Sequence, residues 1–240
     1  QDENGAFTDA TTQASAGSPV MCDCIGAWAA DVEMDGDLDV VVATRDDVPF
    51  VLRNNGNGTW RVDHPFTGVS RVRSFLWADI DRDADPDAIF LDVAGEIHVF
   101  TNQQAGQFAP VPRVGGITGA VAITGADINA DGAFDILTYE GSGVVRRVVR
   151  VGDAWMARQI ASGQPLTNAA PGSQRLLVAD LDNNGALDVI ASGGGQSRVW
   201  LGGIDLELHP LTTAPAGDVY SIADLTGDGR LDLVGIAGGR

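Results

Sequence analysis

Asp180-Leu-Asp-Asn-Asn-Gly-Ala-Leu-Asp188 carries an oxygen-bearing side chain at its first, third, fifth and ninth positions and a glycine at its sixth. The same window recurs four times: Asp31-Val-Glu-Met-Asp-Gly-Asp-Leu-Asp39, Asp79-Ile-Asp-Arg-Asp-Ala-Asp-Pro-Asp87, Asp127-Ile-Asn-Ala-Asp-Gly-Ala-Phe-Asp135 and Asp224-Leu-Thr-Gly-Asp-Gly-Arg-Leu-Asp232. The starts are spaced by 48, 48, 53 and 44 residues, a period in the range that marks stacked repeats. An alanine precedes every window (Ala30, Ala78, Ala126, Ala179, Ala223) and an aliphatic residue fills every second position (Val32, Ile80, Ile128, Leu181, Leu225).

Outward from each window the pattern is of β-strands. A short apolar run follows (Val40 to Ala43, Ala88 to Leu91, Ile136 to Tyr139, Val189 to Ser192, Leu233 to Ile236), then a Gly or Asp turn, then an alternating stretch such as Glu96-Ile-His-Val-Phe100 or Ser197-Arg-Val-Trp-Leu201. A fourth strand is expected to open on a bulky apolar residue, Trp60, Phe108, Trp155 or Leu206. Four short strands in about 48 residues, without helical periodicity, make a β-propeller blade, so the fold class is all-β and residues 1–240 read as one propeller domain. Residues 3–10 read as a fourth strand with Phe7 at its core position, and the chain stops soon after the second strand of the fifth repeat. The expectation is a closed five-bladed ring or, preferably, an arc of a larger propeller of about seven blades.

Composition limits the function. The 240 residues hold 33 acids against 15 bases, a net charge of −18, and every base is arginine. Lysine chemistry of every kind is thereby excluded, the Schiff base and the Walker-type phosphate lysine included. Such a charge repels nucleic acid and anionic membranes, and no apolar run is long enough to span a bilayer, so neither nucleic-acid binding nor membrane insertion of this segment is expected. The Ala- and Arg-rich composition suggests a bacterial source.

Nineteen of the 33 acids lie inside the five windows, so the acidity is local and calls for a counter-charge. In this pattern the side chains at positions 1, 3, 5 and 9 converge if the backbone coils, and the carbonyl at position 7 adds an oxygen. A central glycine and alternate oxygen donors are how an EF-hand loop wraps a hard cation with about six to eight oxygens at about 2.3–2.6 Å. The present loop is shorter, lies between strands and lacks the glutamate at position 12. Plain Asp and Gly turns need one or two of these residues rather than four in fixed register. The predicted ligands are Asp31, Glu33, Asp35, Asp37 and Asp39; Asp79, Asp81, Asp83, Asp85 and Asp87; Asp127, Asn129, Asp131, Ala133 and Asp135; Asp180, Asp182, Asn184, Ala186 and Asp188; and Asp224, Thr226, Asp228, Arg230 and Asp232. Calcium is expected over magnesium, because a flexible oxygen cage suits the larger ion. Five such ions would add ten charges and take −18 to −8. The loops differ: Ala84 replaces the turn glycine, Glu33 is a methylene longer than aspartate, and Thr226 is neutral. The windows 127–135 and 180–188 are the most regular.

These windows with their flanking strands, together with Leu52-Arg-Asn-Asn-Gly-Asn-Gly-Thr-Trp60 and Asn4-Gly-Ala-Phe-Thr-Asp9, resemble FG-GAP/VCBS repeats. The resemblance implies the calcium-binding propeller blades of integrin α-subunits and secreted bacterial proteins, closest in flavour to ASPIC/UnbV-type and cartilage-acidic-protein-like chains. It leaves the activity open, because the group includes adhesion receptors, lectins and propeller parts of polysaccharide-degrading enzymes.

Further chemistry is sparse. The sequence has no Gly-x-Ser-x-Gly, His-Glu-x-x-His or Cys-x-x-Cys motif. His64 and His209, each before a proline, read as equivalent fold positions, and His98 sits in an alternating strand. Trp28 and Trp77 depart from the repeat and read as core fillers or channel-facing ligand contacts. Arg146, Arg147 and Arg150 read as a solvated strand face, or a contact for an acidic partner. Cys22 and Cys24 are expected as thiols or a labile bridge. The functional expectation is a non-enzymatic, extracytoplasmic calcium-binding module, secreted, periplasmic or on the cell surface, that binds a protein or a glycan. The alternative is the propeller body of a polysaccharide lyase or glycoside hydrolase.

Overall fold

Short apolar runs cut by acidic and glycine turns fold here as consecutive antiparallel hairpins. The computed structural model describes residues 6, 9, 22–117, 119–152 and 154–238, and all regular structure among them is β. Blade 1 is β1 (Cys24–Ala30), β2 (Asp39–Thr44), β3 (Phe50–Asn54) and β4 (Trp60–Asp63); blade 2 is β5 (Val72–Ala78), β6 (Asp87–Asp92), β7 (Ile97–Asn102) and β8 (Phe108–Pro110). Blade 3 is β9 (Ala120–Ala126), β10 (Asp135–Glu140), β11 (Val144–Val151) and β12 (Ala154–Ser162); blade 4 is β13 (Arg175–Ala179), β14 (Asp188–Gly193), β15 (Gln196–Gly202) and β16 (Leu208–Pro210). The fifth sheet has two described strands, β17 (Asp218–Ala223) and β18 (Asp232–Ile236). Each sheet is ordered as the chain runs, so the nine-residue windows join first to second strands and share one end of the molecule with the turns between third and fourth strands.

First strands pack in series, β1 on β5, β5 on β9, β9 on β13 and β13 on β17. Four hydrophobic clusters fill the junctions between consecutive blades; among the described residues none joins the fifth sheet to blade 1, so the blades form an open arc. The first junction is aromatic: Phe66 meets Phe90 at 4.8 Å, Phe100 at 5.5 Å and Phe108 at 4.8 Å. Each fully buried ring contributes about 1.5–3 kcal/mol by leaving water. Trp28 packs on Phe75 at 5.7 Å and Trp77 on Phe108 at 5.9 Å, both against this cluster, so core filling accounts for the two tryptophans.

Register corrects two expectations. Trp60 pairs with Asn54, Phe108 with Asn102, Trp155 with Arg150 and Leu208 with Gly202, so Leu208, not Leu206, is the fourth-strand residue of blade 4. Leu206 is in the turn, at φ 61°, donating its N–H to the Gly203 carbonyl. His209 therefore pairs with Leu201 as Arg61 pairs with Arg53, and His64 lies beyond the strand, so the two histidines are not equivalent. Cys22 and Cys24 form a disulfide rather than free thiols, their Cα atoms 5.1 Å apart. The readings of residues 3–10 as a strand and of Phe7 as its core residue fall outside the described residues.

Candidate metal centre

Each window is a run of side-chain-closed turns. The first aspartate accepts N–H groups from positions 5 and 6: Asp31 from Asp35 and Gly36 at 3.0 and 2.9 Å, Asp127 from Asp131 and Gly132 at 2.9 and 2.8 Å, Asp180 from Asn184 and Gly185 at 3.0 and 2.8 Å. Asp224 does the same from Asp228 and Gly229, and Asp79 from Ala84. The fifth residue accepts the N–H of the seventh, as Asp35 does from Asp37, Asp83 from Asp85, Asp131 from Ala133, Asn184 from Ala186 and Asp228 from Arg230. These contacts coil the backbone around the acids before any ion is considered. Positions 4 and 6 are left-handed in all five loops: Met34, Arg82, Ala130, Asn183 and Gly227 at the fourth, and Gly36, Ala84, Gly132, Gly185 and Gly229 at the sixth.

The ninth aspartate does more than the sequence indicates. Its Oδ2 accepts the N–H of position 2, from Val32, Ile80, Leu181 and Leu225 at 2.9, 3.1, 2.6 and 3.0 Å. Its Oδ1 accepts an N–H at the end of the third strand, from Asn54, Asn102 and Gly202 at 2.8, 2.9 and 2.7 Å. It is a clip that fastens the loop to its own blade. Asp39, Asp87, Asp135 and Asp188 are at most 1% exposed. Burial pushes the carboxyls of Asp39, Asp135 and Asp188 above the ordinary range and that of Asp87 up to about 6.

In loops 2 and 4 the acids at positions 1, 3 and 9 converge. Asp79, Asp81 and Asp87 bring oxygens within 4.8 Å of one another, as do Asp180, Asp182 and Asp188. Asp81 Oδ1 is buried without a hydrogen-bond partner, and burial followed by the charges of Asp83 and Asp79 raises its pKa. An orphaned buried oxygen among carboxylates is the setting a hard cation satisfies, so loops 2 and 4 fit calcium. In loop 1 Glu33 turns instead to Arg53 and Arg61. In loop 3 Asn129 donates from its amide to Asp131 at 2.9 Å and leaves its Oδ1 buried and unpaired. The acids Asp224 and Asp228 of loop 5 are exposed, as is Thr226. At the seventh position Asp85 accepts from Gln104 at 2.8 Å, and Asp37 lies against Gly56, where a Cβ would strike its carboxylate.

The arginines were concealed in the sequence. Arg146 pairs with Glu140 at 2.6 Å, Arg147 with Asp135 at 2.7 Å and Arg150 with Asp81 at 3.7 Å, each about three-quarters covered, so they are internal counter-ions rather than a solvated face. At the opposite end of blade 2, Asp92, Glu96 and His98 also lie within 4.8 Å. Glu96 is taken by Arg113, and His98 meets Asp92 at 3.0 Å where blade 3 has the Arg146–Glu140 pair.

Residues 31–90 match the model of the FG-GAP-like repeat. No curated protein sequence matches the chain. Among solved structures it is similar to an Agrocybe aegerita lectin described as specifically recognising non-reducing terminal N-acetylglucosamine, at 21% identity and TM-score 0.56, covering 85% of this chain and 54% of the lectin. It is also similar to BBS1N, solved in complex with ARL6DN, at 15% identity and TM-score 0.54, covering 90% of this chain and 62% of the other. The chain thus spans between half and two thirds of the length of these two structures. These likenesses establish a β-propeller fold, within which residues 31–90 match the FG-GAP-like repeat.

Proposed function

We propose that this FG-GAP-type propeller is a calcium-dependent binding module that works outside the cytoplasm and holds a glycan without turning it over. The observation that carries the metal reading is the pair of carboxylate groups in loops 2 and 4, with buried Asp87 and Asp188 and the unpartnered Asp81 Oδ1. Carboxylates at such separations repel or take up protons unless a cation sits among them. Oxygen donors on a coiled, adaptable loop favour calcium, which is abundant outside cells. Bound there, calcium would neutralise the acids and hold each loop between its two strands.

The glycan half rests on a groove of about 570 Å³ between blades 3 and 4 at the loop end. Arg158, Gln159, Asp205 and Glu207 line it beside the exposed side chains of Ile204 and Leu206, and polar groups around an apolar strip suit the two faces of a sugar ring. The likeness to a lectin supports the same reading.

Two measurements test the two halves. Two ions held at a hundred times their Kd add about 5 kcal/mol to the native state, so EDTA should lower the melting temperature by about 10–20 °C for a chain of this size. A melting temperature unmoved by EDTA ends the metal reading. A glycan array probed in millimolar calcium should give signals that EDTA erases. A silent array turns the reading to a protein ligand, and release of new reducing ends or unsaturated products overturns the absence of turnover.

A further inference from the structure

The third strands of the blades pair in one register. Val51 faces Val41, Val99 faces Ile89 and Val199 faces Ile190, and all three of these third-strand valines are core residues. At the same place in blade 3, opposite Leu137, stands Arg147. A guanidinium thus stands at one position of one repeat where the third strands of blades 1, 2 and 4 carry valine. Its destination accounts for it. Arg147 Nε lies 2.7 Å from Asp135 Oδ2, an ion contact whose N–H is not aimed squarely at the oxygen, and its Nη2 lies 3.3 Å from Asp131 Oδ2. From the neighbouring loop Arg82 Nη2 reaches Asp131 Oδ1 at 3.0 Å. Both oxygens of the fifth ligand and one of the ninth are thus met by guanidinium groups. The third position is a neutral amide, Asn129, which itself donates to Asp131. Loop 3 holds three carboxylates, Asp127, Asp131 and Asp135, against two arginines.

We propose that Arg147, assisted by Arg82, is the resident cation of loop 3, so that this loop closes without calcium while loops 2 and 4 take the metal. Of the two buried oxygens of loop 3 without a hydrogen bond, Asp135 Oδ2 already has the Arg147 guanidinium at 2.7 Å, which leaves Asn129 Oδ1, a single neutral oxygen. It offers a divalent ion little against two charges already in contact with the carboxylates, one of them on a carboxylate that is 1% exposed. The loop that ranks among the most regular by sequence is on this reading the one that has exchanged its metal for a side chain. No carboxylate of loop 2 or loop 4 has a guanidinium within 3.5 Å among the described residues; the nearest pairing is Arg150 with Asp81 at 3.7 Å.

The inference rests on the calcium reading above, and the test separates the two. Calcium titrations of the intact chain by calorimetry should show Asp127→Ala with the wild-type stoichiometry, Asp79→Ala and Asp180→Ala each with one ion fewer, and Arg147→Val with one ion more. Loss of an ion in Asp127→Ala overturns the inference while upholding the calcium reading. A second readout needs no metal: in EDTA, Arg147→Val leaves Asp135 buried without its counter-charge and should melt about 5–10 °C below wild type, with millimolar calcium restoring it. Should wild type and all variants ignore calcium, the calcium reading falls, and the melting point in EDTA still decides the role of Arg147: a variant as stable as wild type refutes it.

Discussion

Ala84 occupies the sixth place of loop 2 at φ 74°, where the other loops have Gly36, Gly132, Gly185 and Gly229 at φ 93°, 83°, 87° and 83°. An L-residue with a Cβ in that region costs about 1 kcal/mol or more. Ala84→Gly should therefore raise the melting temperature by about 2–4 °C in calcium and in EDTA alike, and a variant that melts at or below wild type would show that the strain is relieved elsewhere. The glycines made position 6 readable from the sequence. Position 4 bends the same way in every loop but is filled by Met34, Arg82, Ala130, Asn183 and Gly227, of which only the last two advertise a left-handed backbone. That turn was hidden because the geometry is imposed by the hydrogen bonds of the first aspartate and not by the residue that adopts it.

The loop is an element with two jobs, and its chemistry with protons separates them. In the calcium-free protein burial raises the carboxyls of Asp39, Asp81, Asp87, Asp135 and Asp188, with Asp87 reaching about 6. An acid whose folded pKa lies above its unfolded value binds protons more tightly when folded, so stability falls as pH rises from about 4 to about 6 and is level above. Asp131 and Asp224, lowered by the amide of Asn129 and the N–H of Gly229, act only below that window. In EDTA the protein should melt higher at pH 5 than at pH 7.5, and saturating calcium should reverse the order, since the metal needs the ionised form. Melting in EDTA that is flat or rising over this range would contradict the burial of these acids. The sequence made the loop and its acids legible because the pattern is local. The clip made by the ninth aspartate was not, because its partners Asn54, Asn102 and Gly202 lie 14 or 15 residues away on another strand. The two-residue slip at Leu206 has the same origin: an apolar residue in a Gly- and Asp-containing turn looks like a strand start, and only pairing with Gly202 selects Leu208.

Over the whole molecule, repeats at a fixed period sufficed for the arc of blades, whereas the ion pairs across blades could not be read, because each joins residues in different repeats. Arg82 of blade 2 reaches Asp131, Arg150 of blade 3 reaches Asp81, and Arg175 of blade 4 lies 4.3 Å over the ring of Tyr220. Clips close loops 1, 2 and 4 within their blades while hydrophobic clusters join neighbours, so cohesion is a sum over adjacent pairs. Among the described residues the junction between blade 4 and the fifth sheet has the smallest buried cluster, Ile190, Val199 and Val219. Held at both ends and stretched with optical tweezers, such a chain should give way one blade at a time. Each four-stranded blade that ruptures should release about 48 residues, a contour of roughly 160 Å, and a single all-or-none rupture would contradict nearest-neighbour cohesion. Nearest-neighbour cohesion of this kind acts as a graded mechanical fuse: tension is absorbed blade by blade instead of by loss of the whole fold at once.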